Sequence, residues 1–176
     1  AYSKDPKAIL LVAPSDHVIS DKSYFHEMVN VGLSYVENGK FVTFGIRPTH
    51  PETGYGYLEL SESALDAFGT SELLHFVEKP DLKRATEMMT TGSFLWNAGI
   101  FLFRAADMMA AFADYAPKTL DLVSRAVDLA SADLGFLRLA SEPWSRLEDI
   151  SIDYAIMEKA NNLVVVPYSS KWSDLG

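Results

Sequence analysis

The strongest constraint on the fold is an alternation between strand-like apolar runs and segments with helical spacing. Residues 8–13 (AILLVA) form a continuous apolar run, typical of a strand buried on both faces of a parallel sheet. Further strand-like runs are at residues 41–46, 74–79, 98–103 and 163–167, and helices are predicted at 21–38, 81–91, 105–115, 118–131 and 151–160. The alternation predicts an α/β fold, with a mixed, mainly parallel sheet flanked by helices.

Composition excludes several classes of protein. The formal net charge of -9 argues against a nucleic-acid surface, which needs a basic stripe, but leaves small anionic ligands open. The absence of cysteine rules out disulfides and thiolate metal sites. No apolar run approaches the ~20 residues of a membrane helix, and the first residues lack a signal-peptide pattern. We therefore predict a cytoplasmic protein without nucleic-acid or membrane partners.

Two aspartates follow apolar runs that are far apart in the sequence. Asp16 lies in PSDHVIS (14–20), and Asp174 lies in WSDLG (172–176). Ligands of open α/β sheets bind at the carboxyl ends of strands, and carboxylates are natural ligands of Mg²⁺. Together the two aspartates are a coherent hypothesis for one metal site. Taken alone, Asp16 is better explained as the cap of a turn, and Asp174 could be an ordinary turn aspartate. His17 is interpreted as a structural partner.

Two further segments could bind a ligand through backbone and side chains. In PETGYGY (51–57), Gly54 and Gly56 would let the backbone approach a ligand, while a plain hairpin entry is about as consistent with the spacing. In FVEKP (76–80), Glu78 could accept hydrogen bonds from hydroxyls and Lys79 could meet a phosphate. A solvated pair at a strand tip is the alternative.

Two single residues complete the set of candidates. Asn97, in WNAGIFLF (96–103), can both donate and accept hydrogen bonds, which suits a sugar hydroxyl, or it can be a turn asparagine. Asp153, in SIDYAIMEK (151–159), could face a pocket, although a first-turn acid of a helix is the favoured interpretation.

Six motifs in one order resemble bacterial mannose-1-phosphate guanylyltransferases, which are sugar-1-phosphate nucleotidyltransferases. The resemblance covers residues 8–176, and its motifs are PSDHVIS, FGIRPTHPETGYGYLEL, FVEKP, WNAGIFLF, SIDYAIMEK and WSDLG. It implies a partial Rossmann-like nucleotide-diphospho-sugar transferase core. It also implies a reaction in which GTP and mannose 1-phosphate give GDP-mannose and pyrophosphate.

The resemblance also implies roles for individual residues. Asp16 and Asp174 match the aspartates that hold Mg²⁺, and Lys79 matches the lysine that meets the sugar phosphate. The residues that match or adjoin the sugar-binding positions are Gly54, Tyr55, Gly56, Glu78, Asn97 and Asp153.

One departure from the family pattern concerns the nucleotide. Family members begin with a segment in which a glycine-rich loop, followed further on by a Pro-Lys pair, grips the triphosphate, and this sequence contains no such segment. We therefore expect residues 1–176 to be the C-terminal part of a nucleotidyltransferase catalytic domain, inactive by itself. The alternatives are a glucose-1-phosphate nucleotidyltransferase and a non-catalytic module that binds sugar phosphates or a partner. An exposed sheet edge would favour a homodimer.

Overall fold

The structure is a computed structural model that describes residues 2–61 and 69–175. Gly176, the last residue of the WSDLG motif, lies outside the described residues. The chain divides into two compact units, Ala1–Asp107 with Ala160–Gly176, and Met108–Lys159. In the part of the chain that is described, no helix combines the length and apolarity that crossing a bilayer requires.

Strands and helices alternate along the chain as the sequence predicts. In chain order the elements are β1 (Ile9–Val12), β2 (His17–Ile19), α1 (Lys22–Val36), β3 (Phe41–Ile46), β4 (Tyr57–Leu60), β5 (Ser71–Val77), α2 (Leu82–Thr91), β6 (Phe94–Arg104), α3 (Ala105–Tyr115), α4 (Pro117–Asp128), β7 (Ser131–Asp133), β8 (Phe136–Arg138), α5 (Ser141–Trp144), a π-helical turn (Asp153–Met157), β9 (Leu163–Tyr168) and β10 (Trp172–Asp174).

The first unit is built on a six-stranded sheet with the order β1-β6-β3-β9-β5-β4, in which β4 also pairs with β6. The predicted mixed sheet with flanking helices is confirmed. Its parallel component is smaller than predicted, because among the described strands only β3 and β9 pair in parallel. An apolar run carries no information on strand direction, and the long strand β6 has antiparallel partners on both sides.

The core of the first unit lies between α1 and the strands β3, β6 and β9. Asp21 caps α1, since its side chain accepts a hydrogen bond from the Tyr24 amide. Gly32 lets the helix approach the sheet, because a Cβ there would lie 3.2 Å from side-chain atoms of Leu102 and Val42. Every residue of β3 is buried, so β3 is the central strand.

Helix α2 shows how far local signals determine an element. Its N-cap Asp81 accepts a hydrogen bond from the Arg84 amide at 2.8 Å. It ends at Gly92, whose φ of 77° is the left-handed conformation that glycine adopts at little steric cost. The helix predicted at 81–91 is confirmed at both ends.

Strand β1 differs from its prediction as a strand buried on both faces. Ile9, Leu11 and Val12 are exposed by 37%, 45% and 44% of their surface. Among the described strands, β1 pairs with β6 alone, so it lies at the edge of the sheet. The strands that the core does bury are β3 and β9, and the VVV run of β9 (164–166) is almost fully buried.

The second unit consists mainly of helices with one small hairpin. Pro117 opens α4, a position where its missing amide hydrogen carries no penalty. Strands β7 and β8 pair antiparallel, and α5 packs on α4. The helix predicted at 151–160 is present as the shorter π-helical turn Asp153–Met157.

Candidate functional site

Strands β2 and β10 form a two-stranded ribbon that joins two distant segments. They pair antiparallel, with His17 opposite Asp174 and Ile19 opposite Trp172. The pairing continues past the strand end, where the Leu175 amide donates to the Asp16 carbonyl at 3.1 Å. The sequence analysis predicted no strand at either segment, whereas the structure has strands at both. The ribbon places the two predicted aspartates side by side.

Asp16, His17 and Asp174 form a cluster that could hold a metal ion. Each offers one ligand atom, and these atoms lie within 4.8 Å of one another. Carboxylate oxygens suit a hard divalent cation. The structure thus brings together the two aspartates that the sequence analysis singled out, and their role as ligands stays a prediction.

His17 has two polar neighbours, one at each ring nitrogen. Its Nδ1 accepts a hydrogen bond from the Trp172 indole Nε1 at 3.3 Å. Its Nε2 lies 3.9 Å from Asp174 Oδ1. The imidazole side chain is 9% exposed, and its ring meets the indole edge-on with centroids 5.1 Å apart. His17 was interpreted as a structural partner, and the residues it contacts are Trp172 and Asp174.

The PETGYG loop (residues 51–56) is organised by its own glutamate. Glu52 Oε1 accepts a hydrogen bond from the Gly54 amide at 2.8 Å, and His50 Nε2 lies 3.2 Å from Glu52 Oε2. The pKa of Glu52 is lowered from its ordinary value. The largest cause is the hydrogen bond from the Gly54 amide, and the second is the hydrogen bond with the His50 side chain. The Tyr57 hydroxyl donates to the Glu52 carbonyl at 2.9 Å.

This arrangement changes the prediction for Gly54. The sequence analysis assigned its backbone to the sugar, but here its amide hydrogen already bonds to Glu52. The close approach expected of the glycines is found at Gly56, where a Cβ would lie 2.6 Å from Glu78 Oε2. Backbone recognition of a ligand by this loop is therefore more compatible with Tyr55 and Gly56 than with Gly54.

Gly56, Glu78 and Asn97 lie together beside strand β6. The backbone N–H of Asn97 donates a hydrogen bond to the Gly56 carbonyl at 2.8 Å. The Asn97 side-chain oxygen accepts from Thr43 Oγ1 at 2.8 Å and from the Gly99 amide at 3.2 Å. These bonds fix the side chain of a buried asparagine. Three of the predicted substrate-binding residues are thus neighbours.

Lys79 lies at a sharp turn of the backbone. Its φ of 46° is in the left-handed region, so the chain changes direction after β5 ends at Val77. Its Nζ lies 3.8 Å from Glu78 Oε1, and its side chain is 60% exposed while that of Glu78 is 8% exposed. The strand predicted at 74–79 therefore ends two residues earlier, and Glu78 and Lys79 lie in the turn that follows it.

Tyr55 connects the PETGYG loop to the ribbon. Its ring packs edge-on against Trp172 at 5.5 Å and against Trp96 at 5.3 Å. Burial raises the pKa of Tyr55, and the negative charges of Asp174 and Glu52 raise it further. The PETGYG loop therefore lies against the ribbon that carries the Asp16, His17 and Asp174 cluster.

A cavity of about 420 Å³ adjoins Asp174. Its wall includes the aromatic rings of Tyr55, Trp96 and Trp172 and the cationic side chains of Arg47 and Lys171. These two cations and Trp172 were not among the predicted site residues. Their positions in otherwise polar loops gave no periodic signal, and only the pairing of β10 with β2 brings Trp172 here.

Asp153 belongs to the second unit. It opens the π-helical turn, and its carbonyl accepts a hydrogen bond from the Glu158 amide at 2.9 Å. This position agrees with the favoured interpretation of a first-turn acid. Its contact with a sugar stays a prediction.

Comparison with known sequences gives a consistent family. The model of the family described as nucleotidyl transferase matches residues 1–176. The xanthan biosynthesis protein XanB of Xanthomonas campestris is 42% identical over 168 residues, which cover 96% of this chain and 35% of the relative. The mannose-1-phosphate guanylyltransferase RfbM of Salmonella typhimurium is 42% identical over 177 residues, which cover 100% of this chain and 36% of the relative. The chain therefore spans about a third of the length of these relatives.

Solved structures give the same picture of the fold. A crystal structure described as mannose-6-phosphate isomerase from Helicobacter pylori matches with a TM-score of 0.85 and 32% identity, covering 97% of this chain and 65% of the other. A crystal structure described as mannose-1-phosphate geranyltransferase from Thermus thermophilus matches with a TM-score of 0.82 and 34% identity, covering 99% and 48%.

Proposed function

This chain belongs to the nucleotidyl transferase family, and from that membership we propose that the protein containing it makes GDP-mannose and pyrophosphate from GTP and mannose 1-phosphate. The relative RfbM carries the name of this activity. The observation that carries the proposal is the ribbon, which brings Asp16 close to Asp174, a residue that lines a cavity large enough for a hexose phosphate.

The donor set fits Mg²⁺, the metal we propose. Asp16 and Asp174 would hold the ion through carboxylate oxygens, which Mg²⁺ prefers and which lie within one small cluster. A bound divalent ion neutralises charge on phosphate groups during nucleotidyl transfer. The remaining chemistry is alignment, because the sugar phosphate oxygen attacks the nucleotide α-phosphorus directly and needs no covalent enzyme intermediate.

The chain's own side chains supply that alignment on the sugar side. Glu78 and Asn97 would bind sugar hydroxyls, next to the backbone of Gly56. Lys79, at a turn and largely exposed, would meet the sugar phosphate as a point charge. The ring of Tyr55 packs against Trp172 of the ribbon and would hold the sugar-binding loop at a fixed distance from the metal site. A contribution from Asp153 is retained as a prediction.

A homodimer and a cytoplasmic location are also retained as predictions. Among the described strands, β1 pairs on one side only and exposes apolar side chains. Such an edge favours pairing with another chain.

Turnover of aspartate variants tests the proposed function. Pyrophosphate release would be measured with GTP, mannose 1-phosphate and Mg²⁺ for the whole protein, for Asp16→Asn and for Asp174→Asn. Because the ion's charge stabilisation is worth several kcal/mol, we expect turnover to fall by roughly 100-fold or more in each variant. Asp114→Asn, which removes an exposed carboxylate of α3, is the matched control. Unchanged turnover in both aspartate variants would rule out the metal assignment.

A further inference from the structure

We propose that His17 is a positioning residue for Asp174 and not a third metal ligand, and that Trp172 fixes the imidazole tautomer this role requires. The consequence for catalysis rests on the proposed function. The tautomer itself can be measured without any reaction. The inference follows from three contacts on the β2–β10 ribbon.

The first contact fixes the proton of the imidazole. An indole Nε1–H is a donor only, so the ring nitrogen that receives it must be unprotonated. Trp172 Nε1 donates to His17 Nδ1 at 3.3 Å. A neutral imidazole has one N–H, which must then be on Nε2.

The second contact gives that N–H its direction. Nε2 of His17 lies 3.9 Å from Oδ1 of Asp174, its partner across the ribbon. This separation is longer than a direct hydrogen bond but within the range of a charge–dipole contact, and the proposed role requires the Nε2–H to point towards this carboxylate. Histidines and carboxylates beside metal ions commonly act in this way, orienting a ligand without touching the ion.

The same geometry argues against direct coordination by His17. A metal ion on Nε2 would move the imidazole proton to Nδ1, where it would face the Trp172 indole N–H. Two donors pointing at each other leave both hydrogen bonds unmade, which is costly for a side chain that is 9% exposed. Asp16 and Asp174 therefore remain as the ligands of the cluster.

The third contact restricts the ring. The indole of Trp172 meets the imidazole at an interplanar angle of 87°. Gly99 is also near the ring: its φ of 65° favours glycine, and an added Cβ there would be 4.0 Å from His17 Cε1. The hydrogen bond and the edge-on packing of Trp172 thus orient the imidazole before any ligand binds.

Nitrogen NMR of the whole protein tests the tautomer. With ¹⁵N-labelled histidine at mildly alkaline pH, we expect His17 to carry its proton on Nε2, with or without Mg²⁺. Trp172→Phe keeps an aromatic ring and removes the indole N–H, so we expect it to reduce this preference. A proton on Nδ1, or a coordination shift of Nε2 on adding Mg²⁺, would overturn the proposal.

Metal affinity tests the positioning role. Binding of Mn²⁺ would be followed by the loss of the free-ion EPR signal, with competition by Mg²⁺. Removing a residue that hydrogen-bonds to a metal ligand typically weakens metal affinity by about 10–100-fold. We therefore expect His17→Leu to weaken Mn²⁺ binding by roughly tenfold. His17→Gln retains an amide donor near the Nε2 position, and we expect its affinity to lie within about threefold of wild type.

The outcomes separate this proposal from the proposed function. Equal, large losses of affinity in His17→Leu and His17→Gln, with both variants folded by circular dichroism, would contradict positioning. A wild-type protein that does not bind Mn²⁺ would overturn both the metal site and the role of His17. A wild-type protein that binds Mn²⁺ and shows the Nε2–H tautomer but makes no GDP-mannose would contradict the proposed function alone.

Discussion

The β2–β10 ribbon and the PETGYG loop build neighbouring parts of one site by opposite routes. In the ribbon, the hydrogen bond between Trp172 and His17 joins residues 155 positions apart. In the loop, Glu52 bonds to the Gly54 amide two positions away, and its carbonyl bonds to Tyr57 five positions away. The ribbon depends on the folded sheet, whereas the loop is organised by its own sequence.

This difference predicts that the two regions can be disturbed separately. A substitution in the loop changes local bonds and should alter sugar-phosphate affinity while leaving metal affinity intact. A substitution in the ribbon should do the reverse. Tyr55 is the contact through which the two effects could mix, since its ring packs on Trp172.

Gly56→Ala should give the largest separation of the two regions. The new Cβ would lie 2.6 Å from Glu78 Oε2 and 3.1 Å from the Phe76 ring, so the Glu78 carboxylate must move. Loss of a hydrogen bond to a charged group corresponds to a KM for mannose 1-phosphate raised by roughly tenfold. Steady-state kinetics on the whole protein measures this effect, and Mn²⁺ affinity should be unchanged.

Gly54→Ala is the control for this substitution. There the new Cβ would lie 3.3 Å from Glu52 Oε1, a contact that a flexible side chain can relieve. We expect a smaller rise in KM. If Gly56→Ala weakened Mn²⁺ binding as strongly as it raised KM, the two regions would not be separable.

The parts of the fold that were predicted correctly are those with local causes. Asp81 and Gly92 set the two ends of α2 through local contacts, so the sequence alone is enough to predict where this helix begins and ends. The burial of β1 was predicted wrongly because an apolar run does not say what covers it. Strands of three residues, such as β2 and β10, are stable only through their pairing, and periodicity over so few residues carries little information.

The site divides in the same way. The meeting of Asp16 and Asp174 was predicted from the rule that ligands bind at strand ends, without any prediction that their segments pair as strands. The partnership of His17 with Trp172 could not be predicted, since no local pattern joins residues so far apart. Glu52 left a usable signal that the sequence analysis did not use, namely a carboxylate two positions before a glycine in a polar turn.

Substitution of Glu52 should have a smaller effect than that of Gly56. Glu52→Ala removes the acceptor of the Gly54 amide but leaves the Glu52 carbonyl that accepts from Tyr57. Because a single hydrogen bond contributes about 0.5–1.5 kcal/mol, we expect KM for mannose 1-phosphate to rise by roughly threefold to fivefold. Glu52→Gln keeps an oxygen acceptor and should stay close to wild type. Equal KM values for the alanine variant and wild type would show that the loop does not need this bond.

The smallest expected effect is a change in stability with pH. The folded-state pKa of Glu52 lies below its ordinary value of 4.5, chiefly because the Gly54 amide donates to the carboxylate. A group with a lowered folded-state pKa contributes stability above its unfolded pKa and loses it as pH falls through the folded pKa. Wild type should therefore be more stable than Glu52→Gln at neutral pH, and this advantage should disappear on acidification below about 4.5.

Urea unfolding of both proteins between pH 7 and pH 3 measures this difference. The side chain of Glu52 is 33% exposed, so solvent and salt screen its interactions and the advantage should shrink in high salt. The Lys40–Glu72 pair, whose carboxyl pKa is also lowered, provides a reference on the exposed surface through Glu72→Gln. An advantage of wild type over Glu52→Gln that grew on acidification would contradict the charge-assisted bond to Gly54. The loop would then be held by the Tyr57 hydroxyl and its packing, a local cause of a different kind.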